Sequence, residues 1–353
     1  MAFILGIETS CDDTSICLLE GDPKGLEVKD LHFFEQFSHE KILAKWGGVV
    51  PEIAARNHLE KLGPLLETAF QNAPVAPKDL DAIAVTTHPG LLGPLLTGLS
   101  GAKTLALLHR LPLIGVNHLY AHLEAVHLDQ RVDYPYLGLL ISGGHSLFFL
   151  VHSSSRFEVL GTTVDDAAGE AFDKGGRLLG LAYPAGPAID RLAHGGDESR
   201  YPFPIGLKDT PGCELSFSGL KSALRTFLLE HPGLRERTLQ KDFSGEIKDL
   251  LASYQWAIVK ALSLKLHQAI KKVGSSVYLP IVVGGGVACN TRLRGHLQKE
   301  FPSDKLHFVS PRFCTDNGAM IAHFGLRRFH ERLPFPQCLS LDAGARFKIR
   351  ETE

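Results

Sequence analysis

The sequence contains no C-x-x-C pair: its six cysteines, at 11, 17, 213, 289, 314 and 338, stand apart. That spacing excludes a disulfide framework or a cysteine-rich zinc site and fits a reducing compartment. An excess of charge is missing too, since 37 Lys+Arg against 39 Asp+Glu leave a net −2. A histone-like polycation is thereby excluded, and any nucleic-acid contact has to come from local patches or from partners. No apolar run is long enough to span a bilayer. The longest stretch without Lys, Arg, Asp or Glu, Tyr134 to Ser155, holds Pro135, His145 and three glycines, and Ala82 to Ala102 is broken by Pro89, Pro94 and four glycines. The opening Phe3-Ile4-Leu5-Gly6-Ile7 is too short for a signal h-region and has no basic start. The expectation is a cytoplasmic protein with no membrane association.

What is present is a globular composition, 44% hydrophobic and 22% charged over 353 residues, enough chain for two domains or one bilobal unit. Short apolar runs at 2–8, 14–19, 82–86, 112–116, 136–142, 146–152 and 280–284 read as strands. Helical periodicity occupies about 51–71, 93–110, 117–128, 165–180, 216–230, 243–272 and 315–331. This alternation predicts an α/β protein whose sheets are covered by helices. A strand, a small polar turn and a second strand run from Ile4 to Leu19, and the same plan returns at Leu137 to Leu150. The echo suggests a duplicated fold with two facing lobes, with two unrelated hairpins as the competing reading. The lobes are placed at 1–133, with the chain returning to the first lobe from about 310, and at 134–309, with a helical insertion at about 165–275.

Several segments carry residues suited to chemistry. His118-Leu-Tyr-Ala-His122 puts two imidazoles on one helix face, within reach of one metal. A third ligand is required, and Asp316 in Phe313-Cys-Thr-Asp-Asn-Gly318 is the candidate; with seventeen histidines in the chain, a chance pair is the competing reading. Leu119 after the first His disfavours an H-E-x-x-H protease. Ile141-Ser-Gly-Gly-His145 ends a strand in a turn with exposed amides, which suits either an ordinary turn or an anion. Val283-Gly-Gly-Gly-Val-Ala-Cys-Asn290 leads from a strand into a helix start, a layout that seats phosphates without the G-x-G-x-x-G of a dinucleotide fold. Asp165 to Gly176 carries Gly169, Gly175 and Gly176 in a helical pattern, each costing about 1 kcal/mol against Ala, so something must approach that backbone. Asp166 and Asp173 share a face; Tyr183-Pro-Ala-Gly186-Pro then turns the chain towards Asp190, and two carboxylates flanking that glycine turn could hold ribose hydroxyls or be solvated acids.

Taken in order, these motifs resemble the universal tRNA threonylcarbamoyladenosine family, in its bacterial TsaD branch. The resemblance runs from Ile4 to about Phe324. It rests on Gly6-Ile-Glu-Thr-Ser-Cys-Asp12, Gly47-Gly-Val-Val-Pro-Glu52, Asn117-His-Leu-Tyr-Ala-His122, Ser142-Gly-Gly-His145, Asp166-Ala-Ala-Gly-Glu-Ala-Phe-Asp-Lys174, Ser216-Phe-Ser-Gly-Leu-Lys221, Gly284-Gly-Gly-Val-Ala-Cys-Asn290 and Phe313-Cys-Thr-Asp-Asn-Gly-Ala-Met-Ile-Ala322. It implies the fold of actin, sugar kinases and chaperone ATPases, two ribonuclease H-like lobes with a cleft between them. It also implies transfer of a threonylcarbamoyl group from threonylcarbamoyl-AMP to the N6 amine of the adenosine beside the tRNA anticodon. His118, His122 and Asp316 would then bind one iron or zinc ion. Ile141, Ser142, Gly143, Gly144 and His145 would cradle the phosphate and acyl part of the donor, and Asp173, Gly186, Asp190 and Asn290 its nucleoside end. The base is not identified; Glu8, Asp12 and Asp13 are candidates. Implied partners are tRNA, an inactive TsaB-like paralogue of the same fold and a small TsaE-like P-loop ATPase. Lys221, Arg225, Arg292 and Arg294 are candidates for tRNA contact. Departures from the family pattern are Asp13 for Glu, His88, Ala185 for Gly, and Gly175-Gly176 for larger residues. An actin-like ATPase or small-molecule kinase is the alternative function; it would use Mg²⁺, which prefers oxygen ligands over the histidine pair.

Overall fold

A computed structural model of the chain describes residues 1–24, 27–46, 48–274 and 279–346; Gly47, at the head of the Gly-Gly-Val-Val-Pro-Glu motif, lies outside them. The elements run β1 (Ala2–Glu8), β2 (Asp13–Asp22), β3 (Glu27–Ser38), α1 (Glu40–Leu43), α2 (Pro51–Asn72), β4 (Ala82–His88), α3 (Leu92–His109), β5 (Leu113–Asn117) and α4 (His118–Glu124). They continue with β6 (Tyr136–Ile141), β7 (Ser146–Ser153), β8 (Arg156–Thr162), α5 (Ala168–Leu178), α6 (Gly186–Ala193), α7 (Ser218–Glu230), α8 (Pro232–Leu239) and α9 (Glu246–Val273). Last come β9 (Ile281–Gly284), α10 (Thr291–Glu300), β10 (Leu306–Phe308), α11 (Pro311–Cys314) and α12 (Gly318–Arg327).

β1 is apolar nearly throughout because both of its faces are covered, and its period-two alternation decides which side chain meets which helix. Leu5 and Ile7 enter a core with Leu62 and Ala69 of α2 and Leu99, Ala102 and Ala106 of α3. The intervening positions face α12: Ile4 lies against Gly325, and a Cβ on Gly6 would stand 2.5 Å from the Ala322 amide nitrogen. Only glycine admits so close a helix, and this approach carries the start of α12 onto the sheet.

Two compact units form, one from Met1–Arg131, Ser153–Arg156 and Arg312–Glu353, the other from Val132–His152 and Phe157–Pro311. The first holds the sheet β3-β2-β1-β4-β5, the second the sheet β10-β9-β6-β7-β8. β1 runs antiparallel to β2 and parallel to β4, and β5 continues the parallel half. β6 likewise runs antiparallel to β7 and parallel to β9, with β10 parallel beyond it. The two sheets therefore share one plan, and the hairpin echo of the sequence is a topological repeat. The strands that the apolar runs did not reveal, β3, β8 and β10, all lie at sheet edges. β3 is partly exposed along most of its length and spreads Glu27, Lys29, Asp30 and Glu35 through its apolar residues, which hides it from a hydrophobicity reading.

Candidate functional site

In the first unit the site grows out of the end of β5. Asn117 Oδ1 accepts the amides of Leu119 and Tyr120 at 2.9 and 3.3 Å and so caps α4. With that turn fixed, His118 and His122 are buried side by side, their Nε2 atoms 3.1 Å apart. Asp316 comes from the far end of the chain. Gly318 lies so close to β2 that a Cβ would stand 2.7 Å from the Cys17 nitrogen, and its amide donates to Ser15 Oγ at 2.9 Å. Asn317, fully buried, accepts the Met320 amide and donates to the carbonyls of Phe313 and Thr315. These anchors deliver Asp316 Oδ1 to 3.0 Å from His122 Nε2 and 3.4 Å from His118 Nε2.

Glu8 stands behind His118. Its Oε2 lies 3.0 Å from His118 Nδ1 and accepts from Thr86 Oγ1 at 2.6 Å, while Oε1 accepts the Ser10 amide at 2.5 Å. Ser10 Oγ is a further neighbour of the same Nδ1, at 3.1 Å. Burial opposes charge throughout this cluster, yet the Asp316 and Glu8 carboxylates outweigh it and hold His118 up to about 10. In return His118 overcomes burial to lower Glu8, and to lower Asp316 well below the usual carboxylate range. His122, buried beside a cationic neighbour, is lowered. The cluster therefore calls for one positive charge among its donor atoms. His118, His122 and Asp316 offer three ligand atoms within 4.8 Å of one another. Ligands about 2.1 Å from one ion at tetrahedral or octahedral angles lie about 3.0–3.4 Å apart, which matches the separations here. The residues fit a divalent metal.

The other first-hairpin candidates lie beside this cluster. The Asp13 carboxyl is pushed up to about 8 by burial and then by Asp12 and Asp316, and its Oδ2 accepts from Gln36 Nε2. The Asp12 carbonyl accepts the His39 amide. Burial and the same acids push the Cys11 thiol well above its ordinary value, which leaves it a poor nucleophile. His58, which the sequence alone would as readily place on a solvated helix face, is buried and supports the turn. His58 Nε2 donates to the Cys11 carbonyl at 3.1 Å, so its Nδ1 accepts from Thr14 Oγ1 at 2.7 Å, and Thr14 in turn accepts from His39 Nε2 at 2.8 Å. Neither Ser10 nor Thr86 carried a legible signal, because their part is defined only by Glu8.

In the second unit, β6 ends at Ile141 and the turn closes on itself. The Ser142 amide donates to the His145 carbonyl at 2.8 Å and the His145 amide to Ser142 Oγ at 3.2 Å. A Cβ on Gly143 or Gly144 would meet nothing within 4 Å, so both backbones face open space. Two glycines press against this turn. Gly169 of α5 would put a Cβ 2.5 Å from the Ser142 oxygen, and Gly285, at φ +89°, would put one 2.7 Å from the Ile141 carbonyl carbon. Asp173 Oδ1 accepts the Ala185 amide at 2.7 Å, at the start of α6 beside Gly186. Burial raises its pKa against the backbone donors of Ala185 and Gly186. Asp190 accepts from Gln255 Nε2, Thr291 Oγ1 and the Thr291 amide, and Asn290 accepts the Leu293 amide; both fix the start of α10. Neither Asp173 nor Asp190 is a solvated helix-face acid, and Asp166 is paired with Lys174.

The family model described as "TsaD: tRNA N6-adenosine threonylcarbamoyltransferase" matches residues 33–323. This chain belongs to the TsaD family. A relative from Anaeromyxobacter sp. (strain Fw109-5), named tRNA N6-adenosine threonylcarbamoyltransferase, is 45% identical over 330 residues, 92% of this chain and 94% of its own length. The chain is accordingly a transferase of a tRNA-modifying family. Among solved structures it is similar to component A of the Acidaminococcus fermentans (R)-2-hydroxyglutaryl-CoA dehydratase, at TM-score 0.54 and 15% identity over 93% of this chain and 99% of that one. It is also similar to HypF of T. kodakarensis, at TM-score 0.58 and 13% identity over 94% of this chain and 48% of that one. These likenesses show the fold, the actin-like α/β architecture with its two mixed sheets.

Two features of this TsaD family member are resolved by packing. Ala185, where the family pattern has glycine, lies against Gly176, on which a Cβ would collide with that of Ala185. Bulk present at 185 is thus missing at 176. Of the cations expected at tRNA, Arg292 is bidentate to Glu198, and Arg294 donates to the carbonyls of Ala288 and Val309. Both are occupied in structural contacts, whereas Lys221 and Arg225 are exposed one turn apart on α7.

Proposed function

We propose that the enzyme moves a threonylcarbamoyl group from threonylcarbamoyl-AMP to the N6 amine of the adenosine beside the anticodon, in tRNAs that read codons starting with adenine, and releases AMP. The observation that carries this reading is the triangle of buried His118 and His122 with half-buried Asp316, backed by Glu8, a donor set suited to iron(2+) or zinc(2+). A bound dication supplies charge neutralisation at the donor's phosphate or carbonyl oxygen. Glu8 holds the Nδ1 proton of His118 and so keeps Nε2 available as a ligand. The turn from Ile141 to His145, open at Gly143 and Gly144, suits the phosphate and acyl part of the donor. Asp173, Gly186, Asp190 and Asn290 hold its nucleoside end by fixing the starts of α6 and α10.

In the transfer the N6–C bond forms and the C–O bond of the mixed anhydride breaks, its electron pair leaving with AMP. Positioning does most of the work, since the acyl carbon arrives activated. The amine proton goes to a base. Glu8 is engaged by His118, Thr86 and Ser10, which leaves Asp12 and Asp13 as the candidates on that turn. The enzyme works in the cytoplasm with an inactive paralogue of the same fold and a small P-loop ATPase, and its near-neutral charge favours a tRNA surface shared with them.

The test is single-turnover transfer of labelled threonylcarbamoyl from its adenylate to unmodified tRNA, partners present, with wild type beside His118→Ala. Loss of both transfer and bound metal in the variant is expected. Steady Mg²⁺-dependent ATP hydrolysis by a wild type that transfers nothing would replace this reading with the kinase or ATPase one.

A further inference from the structure

A polyanionic substrate needs local cations, and a chain of net charge −2 must concentrate them. In the first unit, at the end of β5 away from His118, a groove of about 850 Å³ is lined by Arg110, Pro112, His330, Arg332, Pro334 and Phe335 among others. Both of its arginines stand on fixed backbone. Arg110 closes α3, its amide donating to the Ala106 carbonyl, at φ 57°, a left-handed conformation that favours glycine. Helix termination alone would be served better by glycine there, so the arginine side chain is what needs explaining. Arg332 precedes Leu333, which exchanges backbone bonds of 3.1 and 2.8 Å with Leu113 of β5. Its guanidinium lies 4.1 Å from the centre of the Phe329 ring and donates to the Phe329 carbonyl at 3.0 Å. The acid of this segment, Glu331, pairs with Arg328 and has His330 at 3.5 Å. Among the described residues neither Arg110 nor Arg332 pairs with a carboxylate.

We propose that this groove is a docking site for the phosphate backbone of the tRNA substrate. Arg110 and Arg332 contact phosphates, and the half-buried Phe335 offers a ring face to an unstacked base or sugar. Prolines 112 and 334 stiffen the walls, so little ordering is needed on binding. The five residues of β5 separate the groove from His118 by about 16 Å at 3.3 Å per residue, a span covered by about five base-pair steps of a duplex. The proposal rests on the reading of the chain as a tRNA-modifying transferase.

The test uses the full chain with unmodified tRNA transcript as probe, titrated between about 50 and 200 mM salt. The variants are Arg110→Gly, which removes the cation while suiting the left-handed backbone, Arg332→Gln, the double variant, and Arg332→Lys. The double variant is expected to bind about tenfold more weakly, with the slope of log affinity against log salt reduced by about two. Arg332→Lys is expected to keep the salt slope of wild type, because the charge that displaces a counterion remains although the stacking on Phe329 is lost. Unchanged affinity and slope in a double variant that melts like wild type overturns the groove and leaves the proposed reaction standing. An unchanged tRNA affinity beside weakened binding of an acidic protein partner overturns it in favour of protein docking. A wild type that neither binds tRNA nor transfers to it removes the reading of the function as well.

Discussion

The two hairpin turns sit at equivalent places in sheets of the same plan, and they are built in opposite ways. In the first, Glu8, Thr9 and Ser10 are buried, and Thr9 Oγ1 donates to the Pro94 carbonyl at 2.9 Å. The Ser10 carbonyl accepts the Leu91 amide, and His58, Thr14 and His39 fix the Cys11 and Asp12 carbonyls. In the second, Gly143 and Gly144 look into open space and the turn is held from behind by Gly169 and Gly285. Topology thus dictates where a turn lies but not what it does. Side chains that fill the first turn make it a support for His118, and their absence from the second leaves backbone amides accessible.

Breaking the first sheet should give the largest effect. Gly318→Val and Gly6→Ala each drive a side chain into backbone, and each is expected to destabilise by about 3 kcal/mol or more in denaturant unfolding, with loss of the metal. A stable Gly6→Ala would show that α12 can shift without loss.

The histidine support should appear as acid sensitivity. Burial, then His58 and Lys61, lower His39 to about 4. A pKa depressed below the unfolded value of about 6.5 contributes stability that is complete above pH 6.5 and is lost as pH falls towards 4. The loss amounts to about 3 kcal/mol across that window, and His39→Gln should flatten the slope of unfolding free energy against pH there. An unchanged slope would place the titration elsewhere.

Glu8→Gln sharpens the comparison at the site itself. It leaves the shape of the turn but removes the carboxylate behind His118, and metal affinity measured against a competing chelator is expected to fall about 10–100-fold. In the second unit, Gly176→Ala should cost about 2 kcal/mol by clashing with Ala185, and Ala185→Gly in the same chain should recover most of it. Additive unfolding energies would mean that the two positions do not share one space. The smallest effect on stability, within about 0.5 kcal/mol, is expected for Gly143→Ala, whose added methyl has room. Its transfer rate should nevertheless fall, since the open backbone is proposed to face the donor.

Much of the fold was legible because covered strands are continuously apolar and helices are periodic. β1, β4, β6 and β9 stand out in the chain for that reason, whereas edge strands such as β3, with charges spread among its apolar residues, do not. The pairing of His118 with His122 was also local, a consequence of helical spacing. Asp316 could be offered as a candidate third ligand but not fixed as one, since no spacing rule links it to His122, 194 positions earlier. What brings it there is the contact of Gly6 and Gly318 with neighbouring backbone, and the absence of two side chains leaves no trace in periodicity.

The sequence alone determined the α/β class, the repeated hairpin and the family, because these follow from local pattern and from many short motifs in order. The tertiary structure decided which polar residues are free to act. Arg292 and Arg294 read as tRNA-contacting groups along the chain, and the fold engages them with Glu198 and with the carbonyls of Ala288 and Val309. Arg110, silent in the sequence, gains its meaning only where Leu333 pairs with Leu113 and brings Arg332 into the same groove. An N–H already committed to a distant part of the chain is not free for a ligand, and distance along the sequence does not reveal which groups those are.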